Sequence, residues 1–367
     1  MKRLFPVIYI LSCLIAAHSF AGSATSTDQT PGTVTWALTQ RTHALRETQA
    51  ATLLTDGRVL VAGGSIPTYA ELYDPVTDTW AETPSMGYKV SGPTATLLQD
   101  GRVLIAGGYS GGGLSTTSAA LYDPVSGTWS RTGDLNDARQ FHTATLLPDG
   151  EVLVAGGSDR NYDLLASSEI YDPVTGQWHR TADLNVARAY HQAVRLQDGK
   201  VLLTGGNADT GTLASTELYD PVTGLWSVTG SMSNARESFT LSLLPSGKAL
   251  AAAGGAGAIF LNTAELYDPT TGTWAPTGNL THPRAEHAAT QLPNGKVVVA
   301  GGFGGAYQSA EVYNPRTETW ASAGTTVTEH LCCHTMTRLK DGRILVVGGE
   351  DSGYYTQKDD ELGTYTP

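Results

Sequence analysis

Asp149-Gly150-Glu151-Val152-Leu153-Val154-Ala155-Gly156-Gly157 decides the fold. Asp-Gly supplies the positive φ angles of a tight hairpin turn. Val-Leu-Val is the composition of a buried strand. The closing Gly-Gly ends the strand and lets another backbone come close. The phrase returns at 56–64, 100–108, 198–206, 246–255, 294–302 and 341–349, seven copies in all. A period this long marks a repeat architecture.

Each copy sits in the same longer unit. In the fourth, 187–196 reads as strand a, Asp198-Gly199 as a turn and 201–204 as strand b, ending in Gly205-Gly206. A variable loop follows, then 216–219 as strand c, 220–224 as a second hairpin and 225–228 as strand d. Four short antiparallel strands in about 49 residues make one propeller blade. Every tryptophan is a repeat tryptophan: Trp36, Trp80, Trp129, Trp178, Trp226, Trp274 and Trp320. Tyr-Asp-Pro recurs at Tyr73, Tyr122, Tyr171, Tyr219 and Tyr267, with Asn314 after Tyr313. The final copy, Glu361-Leu362-Gly363-Thr364-Tyr365, is degenerate. The sequence opens on a lone strand d around Trp36 and closes on a strand c. The last blade is therefore expected to take its fourth strand from the N-terminal side, and a closed ring leaves no exposed edge. The expectation is an all-β, seven-bladed β-propeller over 34–367. The fifth copy reads one residue longer in 249–253, which predicts a bulge.

The bulk numbers narrow the partners. The chain has 367 residues, a net charge of −12 and no basic run, which excludes a nucleic-acid binder, since phosphates need Lys and Arg. Lys2 and Arg3 precede an apolar run over 4–17, and Ser19-Phe20-Ala21 fits a processing site. Residues 1–21 read as a signal peptide and 22–33 as a linker, which predicts a secreted or periplasmic protein. Lipidation at Cys13 is the alternative. The apolar run is short for a membrane span, so no membrane insertion is expected. Removal of Cys13 leaves Cys332-Cys333, which rules out a disulfide framework. A monomer is expected.

Gly-Gly after strand b, Tyr on strand c and Trp on strand d resemble the kelch repeat. Glu-Leu-Tyr-Asp-Pro-x-Thr-Gly-x-Trp with Asp-Gly-x-Val-Leu-Val-Ala-Gly-Gly is similar to bacterial exported kelch proteins and to the propeller domain of galactose oxidase. The resemblance covers 34–367 and implies the kelch-type propeller. Such propellers host many unrelated functions.

Antiparallel order places the loops after Gly-Gly and the d–a loops on one face, with the hairpins on the other. The hairpins are uniform and read as structural. The b–c loops vary and carry aromatics beside amides and carboxylates, Tyr162 and Tyr354 among them. Variable loops on a rigid ring are where binding usually lives. The start of strand a carries a second set of candidates. Five blades place arginine at one position: Arg46, Arg139, Arg188, Arg236 and Arg284. Two residues on come Thr48, Gly92, Phe141, Tyr190, Ser238, Glu286 and Cys333. The next position holds Gln49, Pro93, His142, His191, Phe239, His287 and His334. This ring has two readings, packing between blades or a functional site near the central channel. Glu71, Glu169, Glu217, Glu265, Glu311 and Glu361 recur before strand c. They read as partners for the arginines or for backbone N–H groups.

In the galactose oxidase resemblance, Tyr190-His191 matches the Tyr-His pair of the copper site and Cys333 resembles its cross-linking cysteine. Ser238 and Thr48 stand where the cross-link partners are needed, and the additional C-terminal domain is missing. Radical-copper oxidation is therefore not expected, and no cofactor is assigned. Two other chemistries stay open: an acid/base set of Arg284, Glu286 and His287 acting on a carbohydrate, and a metal held by His287, His334, Glu286 and Cys333. The leading reading is a binding module for a glycan or a cell-surface protein.

Overall fold

The computed structural model describes residues 32–367 except 65–67, 111–112, 306 and 358. The expected signal peptide, Cys13 and residues 22–31 of the expected linker lie outside the described residues. Within them every regular element is a strand, and no helix is long and apolar enough to cross a membrane.

The strands form seven four-stranded antiparallel sheets, each ordered a-b-c-d. In blade 3 these are Thr143–Leu146, Val152–Ala155, Ser168–Asp172 and Gln177–Arg180. Strand b is buried along its whole length in every blade. It is apolar on both faces because each face packs on a neighbouring blade. The core accordingly lies between blades. Leu98, Leu104 and Leu121 of blade 2, for example, pack with Val152, Val154, Tyr171 and Trp178 of blade 3.

The tyrosine and tryptophan of each repeat join a blade to the one before it. Tyr171 and Trp178 are tilted neighbours, 5.0 Å between ring centroids. Trp178 Nε1 donates to Gly133 O at 2.8 Å, and the Tyr171 hydroxyl meets Thr132 Oγ1 at 2.7 Å. Both partners belong to the segment leaving blade 2. In blade 3 the Tyr and Trp thus bury area and satisfy their polar tips at once, whereas the indole N–H of Trp36 and Trp320 has no partner.

The a–b turn differs from the expectation in one respect. Only the glycine has positive φ, 97° at Gly150. Gly150 N donates to Leu147 O and Leu147 N to Glu151 O, so the hairpin closes as a type I turn followed by a left-handed glycine. The expected bulge in blade 5 is also corrected. Ala249–Ala252 pairs in unbroken register with both neighbours. Ala253, at φ 57°, takes the left-handed place of the first glycine and Gly254 that of the second. The apparent extra residue, Gly255, starts a small hairpin with Phe260.

Ring closure uses both ends of the described chain. Thr33–Leu38 pairs antiparallel with Glu361–Thr366 and completes the blade of Thr335–Arg338 and Ile344–Val347. The innermost strands touch around the full circle, Ala50–Leu53 lying against Thr335–Arg338. At this seam Gly363 faces Trp36, where a tyrosine faces tryptophan in blade 3. A Cβ on Gly363 would lie 2.7 Å from the Trp36 ring.

Candidate functional site

The arginines proposed from the sequence are internal braces. Arg139, Arg188 and Arg284 are fully buried, as are Arg46 and Arg236. Arg188 Nη2 pairs with Glu217 Oε1 at 2.8 Å, and its Nη1 donates to Gly205 O and Ser215 O at 2.9 and 3.0 Å. Arg139 repeats this with Glu169, Gly156 and Ser167, and Arg284 with Glu311, Gly301 and Ser309. Each glutamate also accepts backbone N–H groups from the d–a loop, as Glu217 does from Asn185 at 2.8 Å. Each of these guanidinium groups is paired with a carboxylate and bonded to backbone carbonyls through Nη1, as burial of a charge demands, although the Nε of Arg139, Arg236 and Arg284 has no partner.

The histidines face the preceding blade. His191 Nε2 lies 3.1 Å from Thr143 Oγ1, His142 Nε2 3.4 Å from Thr94 Oγ1, and His287 Nε2 2.9 Å from Thr240 Oγ1. His334 Nε2 reaches Ala300 O at 3.2 Å. Burial, with Arg188 close by, pushes the His191 imidazole down to about 3. Burial and His330 do the same to His334, and burial holds His142 and His287 well below the usual range. These rings are neutral packing pieces. His191 also explains the repeat glycine: a Cβ on Gly156 would lie 2.8 Å from its Cε1.

The acid/base trio is therefore not assembled. Arg284 is held by Glu311 and His287 by Thr240, while Glu286 stands alone of the three in the inner ring. The four-residue metal set also divides, since neither His287 nor His334 joins Cys333. Phe239, at the histidine position of blade 5, is buried against Leu241 and Val194.

The inner ring has its own geometry. Thr48, Gly92, Phe141, Tyr190, Ser238, Glu286 and Cys333 all have φ between 50° and 67°. Successive members hydrogen-bond around the axis, Thr48 N to Cys333 O at 3.1 Å, Gly92 N to Thr48 O at 2.8 Å and Glu286 N to Ser238 O at 2.8 Å. The left-handed backbone is thus an architectural device that closes the ring from blade to blade. Phe141 and Tyr190 stack at 4.3 Å, and Tyr109 lies 6.4 Å from Phe141. Burial, then Glu286 and Glu237, push the Tyr190 phenol well up.

Sequence reasoning missed the residues around this ring. The residue after each repeat arginine position bridges to the residue after Gly-Gly: Ser91 to Tyr109, Ala189 to Asn207 and Cys332 to Glu350. This pairing brings carboxylates to the mouth. Glu350 is pushed up to about 7 by burial and by its hydrogen bond and charge contact with Glu47. Burial raises Glu237, although Asn207 Nδ2 donates to it at 2.7 Å. The signal was periodic and readable, one position before the inner ring. Glu286, Cys332 and Cys333 are all buried and bring one ligand atom each to within 4.8 Å of one another.

Tyr162 and Tyr354 lie in outer b–c loops with the same turn. Tyr162 N donates to Asp159 O and Asp159 N to Asp163 O; Tyr354 N donates to Asp351 O and Asp351 N to Tyr355 O. The blade 2 loop repeats this between Ser110 and Leu114, with Gly113 at the left-handed position. Tyr162 and Tyr354 occupy that position at φ 63° and 60°. They are 59% and 69% exposed.

A KLHDC2/KLHL20/DRC7 Kelch-repeats domain model matches residues 92–302, and a Kelch motif model matches residues 283–325. No curated protein matches. Among solved structures, the chain is similar to a fungal alcohol oxidase of the AA5 family in complex with copper, at 17% identity and a TM-score of 0.75, covering 92% of this chain and 77% of that one. It is also similar to YjhT, at 15% identity and a TM-score of 0.60, covering 90% of this chain and all of that one. At these identities the likeness is one of fold. The residues here do not fit a copper-radical centre: His191 is enclosed between blades, Tyr190 stacks on Phe141, and Cys333 is flanked in the ring by Glu286 and Thr48. Kelch propellers generally mediate protein interactions. The model match over more than half the chain, the recurring Gly-Gly, Tyr and Trp and the closed ring of seven agree, and the chain belongs to the kelch-repeat family.

Proposed function

We propose that this chain is an exported binding module that takes a protein partner on its loop face. The observation that carries the reading is the pair of exposed tyrosines held in left-handed backbone. A non-glycine residue there costs about 1–2 kcal/mol, and Gly113 shows that the same turn forms with glycine. The Tyr162 hydroxyl donates to Gly113 O of the blade 2 loop at 3.0 Å, yet both rings stay more than half exposed, and a bulky aromatic kept exposed at that cost is a feature of a contact surface. Ile259 and Phe260 extend the apolar part of the face at 65% and 42% exposure, with Phe260 beside Phe303. A second reading, glycan binding at the channel mouth, draws on the Phe141–Tyr190 stack beside Ser238 and Glu286. Tyr162→Gly with Tyr354→Gly should fold normally and lose partner binding at least tenfold. Unaltered affinity in the paired variant refutes the assignment, and loss on Phe141→Ala alone favours the glycan reading.

A further inference from the structure

The sulfur atoms of Cys332 and Cys333 and a carboxylate oxygen of Glu286 converge beside the inner ring. Two consecutive inner-ring residues, from blades 6 and 7, supply Glu286 and Cys333, and Cys332 precedes the latter. Their backbones are fixed from both sides. Glu286 N donates to Ser238 O, Leu331 N to Glu350 O at 2.7 Å and Glu350 N to Cys332 O at 3.1 Å. Cys333 and Glu286 share the left-handed conformation, at φ 67° and 56°, so both side chains leave the ring in the same sense. We propose that Cys332, Cys333 and Glu286 form a binding site for a thiophilic divalent cation of the zinc class.

The donor set decides the class. Two thiolates and one carboxylate match zinc, whereas calcium and magnesium take oxygen ligands alone. Zinc–sulfur bonds of about 2.3 Å and zinc–oxygen bonds of about 2.0 Å place tetrahedral ligand atoms about 3.5–3.8 Å apart. The three atoms lie within 4.8 Å of one another, so a closure of about 1 Å by side-chain rotation suffices. Neither cysteine is in a disulfide, and both are buried. Binding breaks two S–H bonds and forms two metal–sulfur bonds, and the two protons leave to solvent. Three protein ligands leave a fourth position open to water or to a ligand in the channel mouth. The Glu350 carboxylate, 3.8 Å from the Cys332 sulfur, stands next to that cluster as an orienting group. The site is independent of the tyrosine turns, so it stands or falls apart from the binding-face reading.

The test is cobalt titration of the full chain, stripped with chelator and held under a phosphine reductant. One equivalent of Co²⁺ should give a thiolate-to-cobalt charge-transfer band that Zn²⁺ abolishes. Proton release should approach two per ion. Cys332→Ser and Cys333→Ser should each lose the band, and Glu286→Gln should keep both thiols while weakening Co²⁺ at least tenfold. No charge-transfer band in the wild type overturns the proposal, as does equal uptake by Cys332→Ser. If the serine variants fail to fold, Glu286→Gln decides alone, since unchanged affinity there removes the carboxylate and with it the proposed site.

Discussion

His191 carries an acid-dependent cost of folding that glutamine should remove. In the folded chain its imidazole sits near 3, forced there first by burial and then by Arg188. In the unfolded chain it titrates near its ordinary 6.5. Between those values the unfolded state binds the extra proton. Stability from this group is therefore complete above about pH 6.5 and is lost as pH falls toward 3. At pH 5.5 the loss is RT ln(1 + 10), about 1.4 kcal/mol, against about 0.1 kcal/mol at pH 7.5. Glutamine is a proven substitute, because Gln49 fills the same ring position in blade 1 and donates to Val347 O at 2.7 Å. His191→Gln should thus lie within about 1 kcal/mol of wild type at pH 7.5. Relative to wild type it should gain about 1.4 kcal/mol on going to pH 5.5. Urea unfolding at both pH values reads this from the midpoints, provided the slopes agree. Glu350 and Asp360, whose carboxyls burial raises, act in the opposite sense, but they are common to both proteins and cancel in the comparison. An equal difference at the two pH values would refute the reasoning, because it would mean that His191 titrates in the fold as it does in water.

The brace and the seam give further expectations. Arg188→Met leaves Glu217 buried without its cation and takes the guanidinium away from the Gly205 and Ser215 carbonyls, and should cost about 3–5 kcal/mol; urea unfolding at pH 7.5 measures it, and a cost under about 1 kcal/mol contradicts the brace. Gly363→Ala drives a methyl into Trp36 and should cost about 1–3 kcal/mol. Hydrogen exchange should then rise first in Thr33–Leu38 and Glu361–Thr366, and unchanged protection there argues against the seam as the tight point.

Periodicity made the fold legible. Seven copies of turn, strand and Gly-Gly fixed the blade count, and the lone Trp36 strand pointed to closure by the last blade. The site was harder for a physical reason. A repeated residue looks alike whether it serves packing or chemistry, and Arg188 and His191 reveal their role only through Glu217 and Thr143, residues 29 and 48 positions away. Glu47 and Glu350 were missed because their meeting depends on ring closure, which joins the two ends of the sequence. Cys332 and Cys333 lie 46 and 47 positions from Glu286 in sequence, and their convergence with it follows from the inner ring setting blades 6 and 7 side by side. The blade 5 bulge failed because Ala253 adopts the glycine conformation, so the repeat was aligned one residue out.

The most direct test of the binding face is a peptide-display selection against the wild-type chain, followed by affinity measurements on two variants. One is Tyr162→Gly with Tyr354→Gly on the loop face. The other is Val76→Ser with Val174→Ser, at exposed hairpin tips on the opposite face. The account predicts at least a tenfold loss for the tyrosine pair and none for the valine pair. Loss confined to the valine pair, or undiminished binding in the tyrosine pair, would contradict it.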